Sequence, residues 1–175
     1  LDQQGNVIHP FAQRGHMEML LSIKGKSAHS SAPHLGVNAI YAASRVLFGL
    51  EMLASQLLND PFLGEGVLAV TDIKSHAVSP NAVPDLCEMF IDRRLTVGET
   101  EAMALSEVQR VMSIEGIDGE VKVIEKEVTS YTGKTFAARR MSMPWAFDQR
   151  HPLVQAMVKA TRKAGVKPVI TRWQF

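Results

Sequence analysis

Hydrophobic and polar positions change period several times along the chain. Over residues 16–24 they alternate. Met17, Met19, Leu21 and Ile23 share one face; Glu18, Leu20, Ser22 and Lys24 share the other, the mark of a half-buried strand. From residue 37 to about 58 the period turns helical, with Ala39, Ala43, Val46, Leu47, Leu50, Leu53, Ala54 and Leu57 recurring at three and four. This stretch predicts a helix of about 22 residues, roughly 33 Å long. Gly36 and Asn38 stand at its start as capping residues, and Asn59-Asp60-Pro61 is expected to stop it. Residues 67–73 predict a second strand. Ser79 to Asp85, with Pro80 and Pro84, predicts a rigid turn. Residues 86–95 predict a third strand, with Cys87, Met89 and Ile91 opposite Glu88, Phe90, Asp92 and Arg94. Residues 96–100 cap a second helix over about 99–113, and residues 120–128 predict a fourth strand.

That order of elements predicts an α+β fold: a ferredoxin-like βαββαβ sandwich with a four-stranded antiparallel sheet and two helices on one face. The other face is expected to be open or covered by something else. Residues 1–15 are polar, carry Gly5, Pro10 and Gly15, and read as an arm or linker ahead of a main domain over 16–130. Residues 130–150 read as irregular and locally basic, with Lys134, Arg139, Arg140 and Arg150. Pro152 opens a helix at its favoured first position and Gly165 closes it. Its expected apolar stripe is Leu153, Met157, Ala160, Thr161 and Ala164, and residues 166–173 read as a last strand. A helix and a strand with no further partners suggest that residues 131–175 open a second domain whose remainder is absent.

Composition narrows the function classes. Of the 175 residues, 46% are hydrophobic and 21% charged, an ordinary globular mixture that can fold without staples. With 19 Lys+Arg against 18 Asp+Glu, the net charge of +1 gives no nucleic-acid footprint. The single cysteine, Cys87, excludes an intramolecular disulfide and points to a reducing, cytoplasmic compartment. No apolar run reaches the roughly 20 residues of a membrane span, so no membrane partner is expected. A first residue of Leu1 suggests a processed or excised piece of something longer.

Three polar positions carry candidate chemistry. His29 lies in the small-residue loop after the first strand; it is either a surface histidine without a role or a proton or oxyanion donor. Asn81 is held between Pro80 and Pro84, and either bonds its own turn or presents its amide outward. Arg94 shares a strand face with Asp92, and is either paired to it or a fork for a carboxylate. The histidines (His9, His16, His29, His34, His76 and His151) form no H-x-D, H-E-x-x-H or H-x-H pattern, and no Glu-Glu dyad exists, so no metal site is expected in this chain. No G-x-S-x-G elbow or phosphate loop is present. Cys87 falls mid-strand on the apolar side and reads as core.

Taken together, Gly25-Lys26-Ser27-Ala28-His29-Ser30-Ser31-Ala32-Pro33, Gly36-Val37-Asn38-Ala39-Ile40, Asn81-Ala82-Val83-Pro84-Asp85, and Asp92-Arg93-Arg94 with Gly98-Glu99-Thr100 resemble a known domain. It is the lid, or dimerisation, domain of the zinc exopeptidase and deacylase superfamily. That superfamily includes acetylornithine deacetylase, succinyl-diaminopimelate desuccinylase, aminoacylase and glutamate-releasing carboxypeptidases. Ser130-Tyr131-Thr132-Gly133 and Met143-Pro144-Trp145 look like a YgeY-type subgroup. The resemblance implies that His29 reaches the partner subunit's active site and donates to the tetrahedral oxyanion. It implies that Asn81 belongs to the substrate pocket and that Arg94 binds the substrate carboxylate, both toward one cleft with His29. It also implies a homodimer formed through an edge strand and the long helix, a small N-acyl amino acid or peptide as substrate, and zinc or another divalent metal held by residues outside this chain. The expected function is the lid portion of a metal-dependent amidohydrolase, inactive alone. The alternative is a non-enzymatic ferredoxin-like regulatory or ligand-binding dimer, which has no need of His29, Asn81 and Arg94.

Overall fold

In a computed structural model of the chain, residues 3–173 are described; the outermost residues of the expected arm (1–2) and of the expected second-domain segment (174–175) lie outside them. The chain begins with β1 (Val7–Gln13) and β2 (Gly15–Lys24). A 3-10 turn (Pro33–Leu35) then leads into α1 (Ala39–Ala54). The short pair β3 (Asn59–Asp60) and β4 (Gly64–Glu65) precedes β5 (Val67–His76), β6 (Leu86–Leu95) and α2 (Glu101–Ile114). Then come β7 (Gly119–Val123), β8 (Glu125–Thr129), β9 (Thr135–Arg139), β10 (Met141–Ser142), β11 (Trp145–Ala146), α3 (Pro152–Lys163) and β12 (Pro168–Trp173). The fold is α+β, with three helices and more than one sheet.

The main sheet is antiparallel. β2 pairs with β6 on one side, and β5 pairs with the far side of β6 as an open edge. The other side of β2 is shared end to end by β7 and β10, so the sheet has five strands rather than four. The alternation read from the sequence sets its inner face: Met17, Met19, Leu21 and Ile23 of β2 meet Cys87, Met89, Ile91 and Leu95 of β6 under α1 and α2. Gly49 lets the two helices close up, because a Cβ there would run into the side chain of Val111.

Helix caps follow the sequence closely. Asn38 Oδ1 accepts the amides of Ile40 and Tyr41, and Thr100 Oγ1 accepts that of Met103. The end of α1 differs from expectation. The helix stops at Ala54, where the Ser55 hydroxyl and amide both turn back to the Met52 carbonyl. Asn59 and Asp60 instead form the β3–β4 hairpin, in which Asp60 Oδ1 accepts from the amides of Phe62 and Leu63.

The expected fourth strand splits at Ile124. The Ile124 amide still bonds to Glu18 O, but Arg140 inserts behind it, accepting from Glu18 N and donating to Ile124 O. β7 thereby leaves the edge, β8 and β9 form a projecting hairpin, and β10 resumes pairing with β2. The region read as irregular therefore holds the outer part of this hairpin, followed by the short strands β10 and β11. Two consecutive arginines fasten its base on opposite faces. Arg140 binds Glu18 through Nη2 at 2.7 Å and Nε at 3.1 Å, and Arg139 forks on to Glu101 at the start of α2.

The stretch read as an arm contributes β1, which pairs parallel with β12 and antiparallel with β11. α3 covers this small mixed sheet. It buries Val154 against Phe11 and Ala12, with Met157 packed on the same cluster, and Val158 is buried as well; Leu153, placed on the expected stripe, is exposed. Met157 and Thr161 of the expected stripe do face β1, while Ala160 and Ala164 are exposed with Leu153, so the buried face is rotated slightly from the expected one. His9 Nε2 and Thr161 Oγ1, 2.6 Å apart, join strand to helix.

The Arg140 and Arg139 guanidiniums hold the Glu18 and Glu101 carboxyls below the usual glutamate range. Stabilisation from such depressed values is fully present above the ordinary range and is lost as pH falls through the depressed values. On acidification, amide protection across residues 125–139 should drop before that of β2 and β6, as read by hydrogen exchange.

Candidate functional site

Three of the sequence motifs form one backbone knot at the end of the main sheet. Gly25 N donates to Asp85 O (2.7 Å), and Lys26 and Val37 exchange a pair of bonds at 2.8 and 2.9 Å. Val83 N donates to Ala28 O (2.8 Å) and Ser30 N to Asn81 O (2.9 Å). Ala39 N, the first amide of α1, donates to Pro84 O at 2.9 Å. Glycine is required where these segments cross. A Cβ on Gly36 would sit 2.6 Å from Lys26 O, and one on Gly25 would be driven into Val37 O.

The knot brings His29 to Asn81. Their Nε2 and Nδ2 atoms stand 3.4 Å apart, both exposed. His29 Nδ1 accepts from the Ser31 amide at 3.2 Å and lies 2.8 Å from Ser31 Oγ. Ser79 Oγ donates to Asn81 Oδ1 at 2.7 Å. Sequence reasoning passes over these two serines; their only signal there is the spacing of two residues from His29 and from Asn81.

Arg94 is not part of this cluster. It lies eight residues along β6 from Leu86, about 27 Å at roughly 3.4 Å per residue, on the open face at the opposite end of the sheet. Asp92 grips it side-on, Oδ1 to Nε at 2.9 Å and Oδ2 to Nη2 at 3.3 Å, and His16 Nε2 approaches Asp92 Oδ2 at 3.2 Å. Nη1 and the end-on edge of the guanidinium are left for another acceptor. One protomer therefore does not turn His29 and Arg94 toward a single cleft, contrary to expectation.

Its neighbour Arg93 does something different. It points inward, 1% exposed, and binds Glu99 and, at 3.2 Å, Glu107. Glu99 also takes the Thr96 amide at 2.6 Å. The D-R-R and G-E-T pieces are thus joined by a buried ion pair that fastens α2 to the end of β6. The alternation of Cys87, Met89 and Ile91 carries on to Arg93, which was the available signal. Burial, with a smaller push from Glu88, raises the Cys87 thiol, consistent with core rather than nucleophile.

Among the described residues, no group of three or more His, Cys, Asp or Glu is placed to hold a metal ion. The donor set does not fit one; what these residues offer is hydrogen-bond donors and fixed charge. No helix of the described residues is long and apolar enough to cross a membrane.

The described residues thus form a helix-backed antiparallel sheet with His29 and Asn81 in contact at one end. Residues 11–120 match the family model of the peptidase dimerisation domain, M20_dimer, and the chain belongs to that family. It is 36% identical to YgeY of Escherichia coli over 164 residues, covering 93% of this chain and 41% of YgeY. Against succinyl-diaminopimelate desuccinylase 2 of Shewanella loihica it is 33% identical over 108 residues, covering 62% of this chain and 28% of that protein. The chain thus spans less than half the length of either of these curated relatives. The M20 family metallo-carboxypeptidase Sso-CP2 of Sulfolobus solfataricus shares the fold, with a TM-score of 0.70 at 14% identity over 99% of this chain and 55% of that one. The chain is homologous to deacylases and peptidases, which favours the hydrolase-lid reading over a regulatory module.

Gly25→Ala should disrupt the knot, lowering stability by about 1–3 kcal/mol as over-packing does. Denaturant unfolding checks the cost, and loss of the His29–Asn81 contact should appear as shifted His29 ring resonances.

Proposed function

We propose that residues 16–130 are the ferredoxin-like lid and dimerisation unit of a homodimeric, metal-dependent amidohydrolase acting on small N-acyl amino acids or peptides. Residues 131–175, with the N-terminal strand, would belong to the neighbouring catalytic domain, whose own residues would hold zinc or another divalent metal. The lone buried cysteine fits a cytoplasmic setting.

The observation that carries this reading is the His29–Asn81 pair, held by the three-motif knot at one end of a sheet whose edge is open. β5 has an unpaired edge, and beside it α1 exposes Tyr41, Phe48 and Met52, each more than 60% accessible. An open edge next to an apolar stripe is a natural pairing surface. Antiparallel pairing of two β5 strands about a two-fold axis reverses strand direction across the interface. The His76 end of one protomer, next to His29 and Asn81, then meets the Val67 end of its partner, which is registered with Arg94. Three interstrand spacings separate β6 from its copy, about 14 Å at roughly 4.8 Å each. That is half the distance to the same protomer's Arg94. The dimer thus gives the site its third residue: His29 and Asn81 from one subunit, and the partner's Arg94 with its free end-on edge for a carboxylate. His29 donates to the oxygen that becomes negative in the tetrahedral state, while closure of the lid excludes water.

Sedimentation at micromolar concentration should give the mass of two chains, and Phe48→Glu should halve it; a wild-type monomer would sink the interface. In the full-length enzyme, His29→Ala should lower turnover by about 10²–10³ with metal content unchanged. Unaltered turnover would remove the oxyanion role.

A further inference from the structure

The hydrogen bonds behind His29 and Asn81 assign roles to two more residues. We propose that Ser31, through its backbone amide, and Ser79, through its hydroxyl, are positioning residues that turn the pair into a two-donor cradle for one substrate oxygen. The inference rests on the lid-site reading above and deepens it.

A backbone N–H only donates, so the 3.2 Å contact from Ser31 N makes His29 Nδ1 an acceptor. Ser31 Oγ, 2.8 Å from the same nitrogen, then donates as well. With Nδ1 bare, the proton of the neutral ring sits on Nε2, the nitrogen facing Asn81. On the other side, Ser79 Oγ–H binds Asn81 Oδ1 at 2.7 Å and leaves Nδ2 turned toward the imidazole. The result is Nε2–H and Nδ2–H2 facing each other at 3.4 Å, two exposed donors. Neither satisfies the other. An oxygen within about 2.7–3.1 Å of both would complete the arrangement, the geometry expected of donors aimed at a developing oxyanion.

Both serines act at short range. Ser31 sits in the turn closed by Ala32 N to His29 O (2.9 Å), and Ser79 in the turn closed by Ala82 N to Ser79 O (3.1 Å). Each is two residues from the group it orients. The competing state is easily drawn: if the Asn81 amide turned over, Oδ1 would accept from His29 Nε2–H and the cradle would close on itself. In the orientation the structure shows the Ser79 hydroxyl donates to Oδ1, so its hydrogen must turn away before the amide can turn over.

The test uses the full-length enzyme that carries this domain. Long-range 1H–15N spectra of histidine-labelled wild type should show His29 as the Nε2–H tautomer; the Nδ1–H tautomer would overturn the proposal without any variant. Ser79→Ala should lower kcat about tenfold, the worth of one hydrogen bond, with KM held, and Ser79→Thr should restore it. Asn81→Asp, which exchanges the facing donor for an acceptor, should lower kcat further than Ser79→Ala. A silent Ser79→Ala, an effect confined to KM, failure of threonine to rescue, or an active Asn81→Asp enzyme would each overturn the positioning role. If His29→Ala still costs its full factor in those cases, the lid-site reading survives; if His29→Ala is itself silent, that reading is what has failed.

Discussion

Three stretches of backbone must cross within hydrogen-bonding distance at the end of the main sheet, and the rest of the structure is arranged around that crossing. Gly25 and Gly36 are there because a side chain at either would meet a carbonyl oxygen. Pro84 has no amide to place, and its carbonyl caps the first amide of α1. One set of bonds therefore fixes where the long helix starts, where β6 starts, and how far the two functional loops stand apart. His29 and Asn81 are 52 residues apart in sequence and meet only because of it.

Charge is used to fasten elements rather than to cover the surface evenly. Arg93 is buried on the inner face of β6, where an unpaired guanidinium would cost several kcal/mol, and Glu99, just ahead of α2, and Glu107, within it, answer it. On the open face, Arg94, Asp92, His16, Glu18 and Arg140 form one chain of contacts. Arg139 and Arg140 point to opposite faces, as successive strand residues must, so one hairpin is tied to both layers.

The sheet separates the two halves of the candidate site by the length of a strand. A single chain places His29 and Asn81 at one end and Arg94 at the other. In the proposed dimer, pairing through the β5 edge and the apolar stripe of α1 would reverse strand direction across a two-fold axis and so restore what the strand length divides.

Much of this is legible in the chain. Alternation identifies β2 and β6 with their buried faces, helical period finds α1 and α2, and Asn38 and Thr100 cap as their residue types suggest. The motifs point to His29 and Asn81, though not to their contact. Local pattern does not give the pairing of β1 with β12, which joins chain ends some 160 residues apart. Nor does it set the exact rotation of α3, whose expected stripe is only partly the packed one, or the break at Ile124, which depends on Arg140 arriving from 16 residues later. The sequence by itself determined the types of β2, β5, β6 and the three helices, the caps of α1 and α2 and the chemistry available, because those follow from each residue and its near neighbours. Only the tertiary structure decided which donors converge, which arginine is buried and which is open, and that Arg94 stands a strand's length from His29. Those outcomes depend on backbone segments distant in sequence meeting in space.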